Sequence, residues 1–191
     1  MRASLKMTFE KNMQFAKDSF YMALRERLAA LNPGRTVSIG GITRPAILVV
    51  ENEPVSGAEA VADAFHIYWG AARANKQNSG GERPLLTLEC TVAYRTGGNG
   101  AAGADRGRSL GQLDEELLAI CRPGWTGKRD YRQSPPVELG TNVVWAVPEL
   151  GEIEAVGEAP SNWRKARAIA GGRLQRLASL SLYFFAEAER K

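Results

Sequence analysis

The stretch Leu85–Arg95 alternates without interruption. Leu86, Leu88, Cys90, Val92 and Tyr94 fall on one side, and Thr87, Glu89, Thr91, Ala93 and Arg95 on the other. A period of two means a strand with one face on a core and the other towards water or a neighbour, the habit of antiparallel sheet. Cys90 travels with the leucines and is expected to be a packed, inert thiol. The closing segment Ala178–Ala188 repeats the pattern, with Leu180, Leu182, Phe184 and Ala186 against Ser179, Ser181, Tyr183 and Glu187.

Helical spacing frames these strands. Phe9, Met13, Ala16, Phe20, Leu24, Leu28 and Leu31 recur every three or four residues, so a long amphipathic helix is predicted, stopped by Asn32-Pro33-Gly34. A second helix is predicted over Ser109–Cys121, with Ser109 and Gln112 as a capping box. Leu110, Leu113, Leu117 and Ile120 form its apolar face, and Pro123-Gly124 ends it. Ser56 and Glu59 form another capping-box pattern, and Val61, Phe65, Tyr68 and Ala72 continue it as a third helix, with His66 off the stripe. His66 is therefore expected to be exposed or hydrogen-bonded rather than a ligand. Val37–Ile39, Gly40-Gly41 and Ile42 read as a tight hairpin. Pro45–Val50 reads as a strand covered on both faces, and Val143–Val147 as a further strand. The sum is an α+β fold, a mainly antiparallel β-sheet flanked by a long N-terminal helix and a second amphipathic helix.

A chain of 191 residues, 44% apolar and 24% charged, suits one domain with a real core. We read residues 1–191 as a single domain with two long loops near 74–84 and 97–107, rich in Gly and expected to be mobile. Two cysteines cannot build a disulfide framework and fit a reducing compartment. With one histidine they also fall short of a usual zinc site. No stretch reaches the roughly 18 apolar residues of a membrane span. Glu10 and Asp18 among lysines do not form a secretory leader, so a soluble intracellular protein is expected.

Candidate chemistry is sparse. Gly98-Asn99-Gly100-Ala101-Ala102-Gly103 spells a dinucleotide fingerprint, but three features oppose it. The preceding strand alternates, the predicted helix starts too late, and no acid follows at about twenty residues. No Gly-x-Ser-x-Gly elbow accompanies His66, and Glu115-Glu116 read as a solvated helix flank. We expect no enzyme and no cofactor. Charge is uneven: Glu138, Glu149, Glu152, Glu154 and Glu158 occur without a base, followed by Arg164, Lys165, Arg167, Arg173 and Arg176 without an acid. A second cluster, Arg122, Lys128, Arg129 and Arg132, interleaves Trp125 and Tyr131. Such clusters are solvated faces, contacts to an acidic protein partner, or part of a single-strand nucleic-acid platform. A net charge of +4 and the lack of a known nucleic-acid motif weigh against direct, specific nucleic-acid binding.

Taken in order, these elements resemble the tail terminator family of long-tailed bacteriophages, the group of the minor tail protein U of lambda-like phages. The resemblance runs through the helix ending Tyr21–Leu31, the segment Thr43–Glu53, the alternating Leu88–Arg95, the helix Leu110–Leu118 and the closing strand Ser179–Glu187. It implies a structural virion protein that forms a hexameric ring on the last ring of the tail tube. That ring would end tube polymerisation and present a surface to the head–tail connector proteins, so its partners would be other copies, the tube protein and the connector. It also implies a place in the virion tail, with assembly in the host cytoplasm. The Ser56–Ala72 helix and the long Pro148–Arg173 segment depart from the family and leave another neck or tail-completion role, or a basic nucleic-acid module, as alternatives. An acidic and a basic segment on one chain suit a head-to-tail interface. The partner-binding candidates are accordingly Arg106 and Arg108, Lys128, Arg129 and Arg132, and Arg164, Lys165, Arg167 and Arg173.

Overall fold

The computed structural model describes residues 2–51, 61–74, 84–97, 103–156 and 173–186, with side chains of the first helix from Met13 onward. Helix α1 spans Arg2–Leu31. Then come β1 (Thr36–Ile39), β2 (Ile42–Pro45), β3 (Ile47–Val49), β4 (Phe65–Ala74) and β5 (Leu85–Arg95). Helix α2 covers Gly103–Ile120, and β6 (Gly124–Asp130), β7 (Val137–Trp145), β8 (Glu149–Val156) and β9 (Arg173–Phe185) complete the order. Strands β1 and β2 form a separate hairpin, and the other seven form one sheet in the order β3-β4-β5-β9-β7-β6, with β8 also on β9. Among the described strands, only β3 and β4 pair in parallel; every other pair is antiparallel. The expected α+β class holds.

Strand β9 organises the sheet. One flank pairs with β5 from Gln175 to Phe185. Its other flank takes β7 at Leu182–Phe184 and β8 at Arg173–Ser179, so β7 and β8 act as one interrupted strand. Pro148, which has no amide hydrogen to give a ladder, sits in the interruption, where the Ala146 amide still reaches the Ser181 carbonyl at 3.3 Å.

The inward residues of β5 (Leu86, Leu88, Cys90, Val92, Tyr94) and of β9 (Ala178, Leu180, Leu182, Phe184) are buried under both helices. Ala16, Phe20, Leu24 and Leu28 supply the stripe from α1, and Leu110, Leu113, Leu117 and Ile120 the one from α2. Phe20 lies edge-on to Trp145 and Trp69, with centroids 5.1 Å and 6.2 Å away. Helix α1 touches both β3 and β6, the two ends of the strand order, so the sheet curls around it. Buried Ser19 is fully used there: its hydroxyl donates to the Phe15 carbonyl and accepts the Arg129 amide at 2.9 Å. A smaller cluster of Val37, Ala46, Leu48 and Ala64 covers the far side of β3.

Polar clamps fix the helices. Tyr94 donates to Asp114 of α2 at 2.6 Å, and Arg176 of β9 pairs with the same carboxylate at 3.1 Å. Burial and the adjoining carboxylate push the Tyr94 phenol well above its ordinary value, so it stays neutral. Glu116 accepts Asn32 at 2.7 Å and both arms of Arg35 at 2.8 and 3.0 Å. It is therefore a half-buried cross-link between the helices, not the solvated flank expected from Glu115-Glu116.

Other expectations also change. The helix predicted over Ser56–Ala72 is strand β4 from Phe65 onward, while Ser56 and Glu59 lie outside the described residues. Phe65 and Ile67 enter the core and Tyr68 is exposed on the other side, a period of two; partners on both flanks and a β-branched, aromatic composition overrode the accidental helical spacing. Helix α2 starts six residues before Ser109, whose hydroxyl donates to the Asp105 carbonyl four residues back. Ser109 is thus interior and no cap, and Arg106 and Arg108 belong to α2 rather than to a loop. The rest of the 97–107 loop from Gly98 to Ala102, and 75–83 of the other, lie outside the described residues. The last strand begins five residues before Ala178. Strands β6 and β8 were not expected at all.

Candidate interaction surface

With both helices on one face, no described element covers the other face of β5, β9, β7 and β6. Register aligns its side chains in rows. Trp125 of β6 opposes Val144 of β7, Val144 opposes Tyr183 of β9, and Tyr183 opposes Thr87 of β5. Trp125 is 65% exposed, Val144 45% and Tyr183 37%, and Phe185, two residues on, is also exposed. Exposed large apolar side chains in one contiguous row mark interaction sites far more often than scattered ones.

Beside this row lies a trough of about 360 Å³ lined by Glu89, Thr91, Glu149, Ser179, Ser181 and Tyr183. Its polar groups follow from the same register: Glu89 opposes Ser181, and Ser179 stands between Thr91 and Glu149. Among the described residues, no lysine or arginine lines it. Arg73 reaches Glu89 from β4 at 3.1 Å, as a solvent-exposed pair. The trough is therefore acidic and rich in hydroxyls, with an apolar flank.

The basic candidates from the sequence are distributed otherwise. Lys128 is fully buried: its ammonium donates to the Phe185 carbonyl at 2.6 Å and lies over the Phe184 ring, so it is a packing residue and not a surface contact. Arg129 is exposed and pairs with Glu138 across β6 and β7 at 2.9 Å. Arg132 grips buried Asp130 with two nitrogens, at 2.8 and 2.7 Å, while stacking on Phe15. Those bonds hold the Asp130 carboxyl well below the usual carboxylate range. Arg108 pairs with Asp105 one helical turn away at 2.7 Å. Arg106 and Arg173 are half-buried and have partners of their own. Arg164, Lys165 and Arg167 lie outside the described residues. Arg108, Arg129 and Arg132, each already held by a carboxylate, make a poor phosphate-binding track.

The remaining chemical candidates resolve in the same direction. His66 is buried, its Nε2 2.9 Å from the Val61 carbonyl, which makes it the hydrogen-bonded residue expected and not an exposed one. Cys90 and Cys121 are buried, and loss of hydration pushes both thiols up, Cys121 to about 12. One argument against the glycine fingerprint fails, because α2 begins directly at Gly103. The stronger one stands: β5 is antiparallel to both neighbours, whereas a dinucleotide crossover needs a parallel sheet. Among the described residues no group of three His, Cys, Asp or Glu side chains could hold a metal ion, and no helix is long and apolar enough to cross a membrane.

The open row was only half legible. Tyr183 falls on the outward side of the last strand's alternation, but nothing in the sequence links Trp125 and Val144 to it, because β6 carries no alternation. Its inward positions are Lys128 and Asp130, and polar inward residues erase the signal. No family model matches the chain, and no curated protein matches it in sequence.

Proposed function

We propose that the protein is a structural assembly component that closes into a hexameric ring with copies of itself and caps a bacteriophage tail tube. In that position it ends tube polymerisation and offers its exposed surface to the head–tail connector. It acts in the virion tail, after assembly in the host cytoplasm, by binding and not by catalysis. The observation that carries this reading is the open sheet face, with Trp125, Val144 and Tyr183 in one exposed row opposite a face sealed by α1 and α2. A surface of that kind is buried in an assembly, and Trp and Tyr are the residue types that dominate binding energy at interfaces.

The test is solution mass by light scattering after size exclusion, from low to high protein concentration. A hexamer, or a monomer moving towards one as concentration rises, is the expected result. A mass that stays monomeric throughout, even with preformed tubes present, overturns the ring.

A further inference from the structure

A sheet ends in strands whose outer backbone groups need a partner, and among the described strands β3, β6 and β8 stand at such ends. Strand β3 is wholly buried, and β6 leans on α1, where the Ser19 hydroxyl takes the Arg129 amide. Strand β8 differs: among the described residues it pairs with β9 alone. Register fixes which of its groups point outward. The Leu174 amide and carbonyl are both spent on Thr96, towards β5, at 3.1 and 2.9 Å, whereas the Ser181 carbonyl turns the other way, to Ala146. Even-numbered residues of β9 therefore face β5, and odd-numbered ones face β7 and β8. Ile153 stands opposite Arg176 and Ala155 opposite Leu174, so their N–H and C=O groups point away from β9, to the free edge. The bulge ahead of them is pinned. Arg176 donates to the Gly151 carbonyl at 3.0 Å, and a Cβ on Gly151 would come within 2.8 Å of the Leu177 carbonyl.

We infer that the outer edge of β8 docks an extended segment of a partner protein that carries lysine or arginine at alternate positions. An added strand takes its affinity from main-chain hydrogen bonds, here with Ile153 and Ala155, and its specificity from the side chains beside them. Those side chains are acidic. Glu149–Val156 holds Glu149, Glu152 and Glu154 and no base; all three are exposed, and among the described residues none has a hydrogen bond or ion pair. Glu152 and Glu154 stand two apart along the strand, the spacing that basic residues on alternate positions of an added strand match. Ile153, 53% exposed between them, offers the apolar contact. Antiparallel pairing of two β8 edges would instead set the glutamates of one copy against those of the other. Like charges placed opposite one another destabilise a sheet, so the same edge rejects a second copy and selects a basic strand. The edge is separate from the Trp125 row, and the inference does not rest on the ring reading.

The test uses the whole protein and a labelled synthetic peptide the length of β8, alternating lysine with valine or threonine. Binding is followed by fluorescence anisotropy and by amide hydrogen exchange. The basic peptide should bind and slow exchange at the Ile153 and Ala155 amides at least tenfold, and salt should weaken it. A peptide with glutamate in place of every lysine should not bind. Reversing charge with Glu152→Lys and Glu154→Lys together should weaken the basic peptide at least tenfold and leave the thermal midpoint within a few degrees, since both side chains are exposed. Ile153→Pro, which removes one outward amide and no charge, should weaken it to a similar degree. No binding of the basic peptide, equal binding of the two peptides, or binding that leaves exchange at Ile153 and Ala155 unchanged overturns the inference. Binding unmoved by the charge reversal overturns it too, whatever Ile153→Pro does to the fold.

Discussion

Arg27 is the residue whose loss should reveal most about how the two helices are joined. Ile120 is the last residue of α2, where helical carbonyls have no intrahelical partner and the macrodipole is negative. Arg27 reaches over from α1 and donates through Nη1 to the Ile120 carbonyl at 2.9 Å and to the Arg122 carbonyl at 3.2 Å. Its guanidinium also lies 4.8 Å from the centroid of the Trp145 ring. A hydrogen bond from a charged donor is worth roughly 1.5–3 kcal/mol where its loss leaves a buried group unpaired, and less here because the site is part-exposed. The ring contact adds about 0.5–1 kcal/mol and the dipole about 0.3–1 kcal/mol. These contributions share one group and do not add fully, so Arg27→Ala should cost about 2–3 kcal/mol. With a urea slope of about 2 kcal/mol per molar, the midpoint should fall by roughly 1–1.5 M. Arg27→Lys keeps the charge but loses the planar fork, and about half of the loss should remain. Gly124 offers an internal control, because a Cβ there would come within 2.8 Å of the Arg27 guanidinium. Gly124→Ala should destabilise the unmodified protein and cost less in the Arg27→Ala background, where only the 3.3 Å approach to the Arg122 carbonyl remains. Additive losses from the two substitutions, or an Arg27→Ala midpoint within 0.2 M of the unmodified protein, would refute this account of the joint.

Three other outcomes follow from the same packing. Phe20→Ala removes a fully buried ring and both edge contacts to tryptophan, and urea unfolding should register a loss of about 3–5 kcal/mol; under 1.5 kcal/mol would mean that the sheet does not close on α1 as described. The Asp130 carboxyl sits below its unfolded value, so the stability it contributes is complete above the ordinary carboxylate range and is lost as pH falls through and below it. Asp18, raised by burial, acts in the opposite sense, so the acid limb of Asp130→Asn measured from pH 6 to pH 3 should be shallower than that of the unmodified protein, and an unchanged limb would show Arg132 to be idle. Trp125→Ser should leave the thermal midpoint within a few degrees, since a side chain 65% exposed contributes little to folding, yet weaken self-association at least tenfold by light scattering.

How much of this was readable in the sequence depended on what each strand buries. Strands β5 and β9 have apolar residues at every inward position along their central pairing, and alternation alone located both and sorted their faces. The β1–β2 hairpin is legible because Gly-Gly adopts the positive φ of both central residues of its turn without strain. In β8, Leu150 packs against the core, but a register shift between Leu150 and Ile153 breaks the period and three glutamates mask the rest. Strand β4 was misread for the opposite reason: its apolar residues satisfied a helical spacing by coincidence, and pairing on both flanks decided the matter. The start of α2 was misplaced because Ser109 resembles a cap from its neighbours, while its hydroxyl in fact bonds backwards into the helix. Charge was the least reliable guide. Lys128 reads as surface in any linear scan, yet its ammonium is consumed by the Phe185 carbonyl under the sheet.

That last inversion bears on how the protein can both fold and assemble. The strong, part-buried charged contacts, Arg35 with Glu116, Arg176 with Asp114 and Arg27 with the end of α2, all lie on the helical side of the sheet. The open side carries the exposed pair of Arg73 and Glu89 and an apolar row that nothing in the described chain covers. Exposed pairs contribute little and are screened by salt, whereas an uncovered tryptophan gains only when another surface removes water from it. Stability is thus concentrated on one face and association on the other, so substitutions on the two faces should separate cleanly. Losses at Phe20 or Arg27 should move the unfolding midpoint, with association failing only as a consequence. A loss at Trp125 should move association with the midpoint held. A face-by-face comparison that found unfolding and association shifting together at Trp125 would mean that the open row is part of the fold's own support, and the assembly reading would lose its foundation.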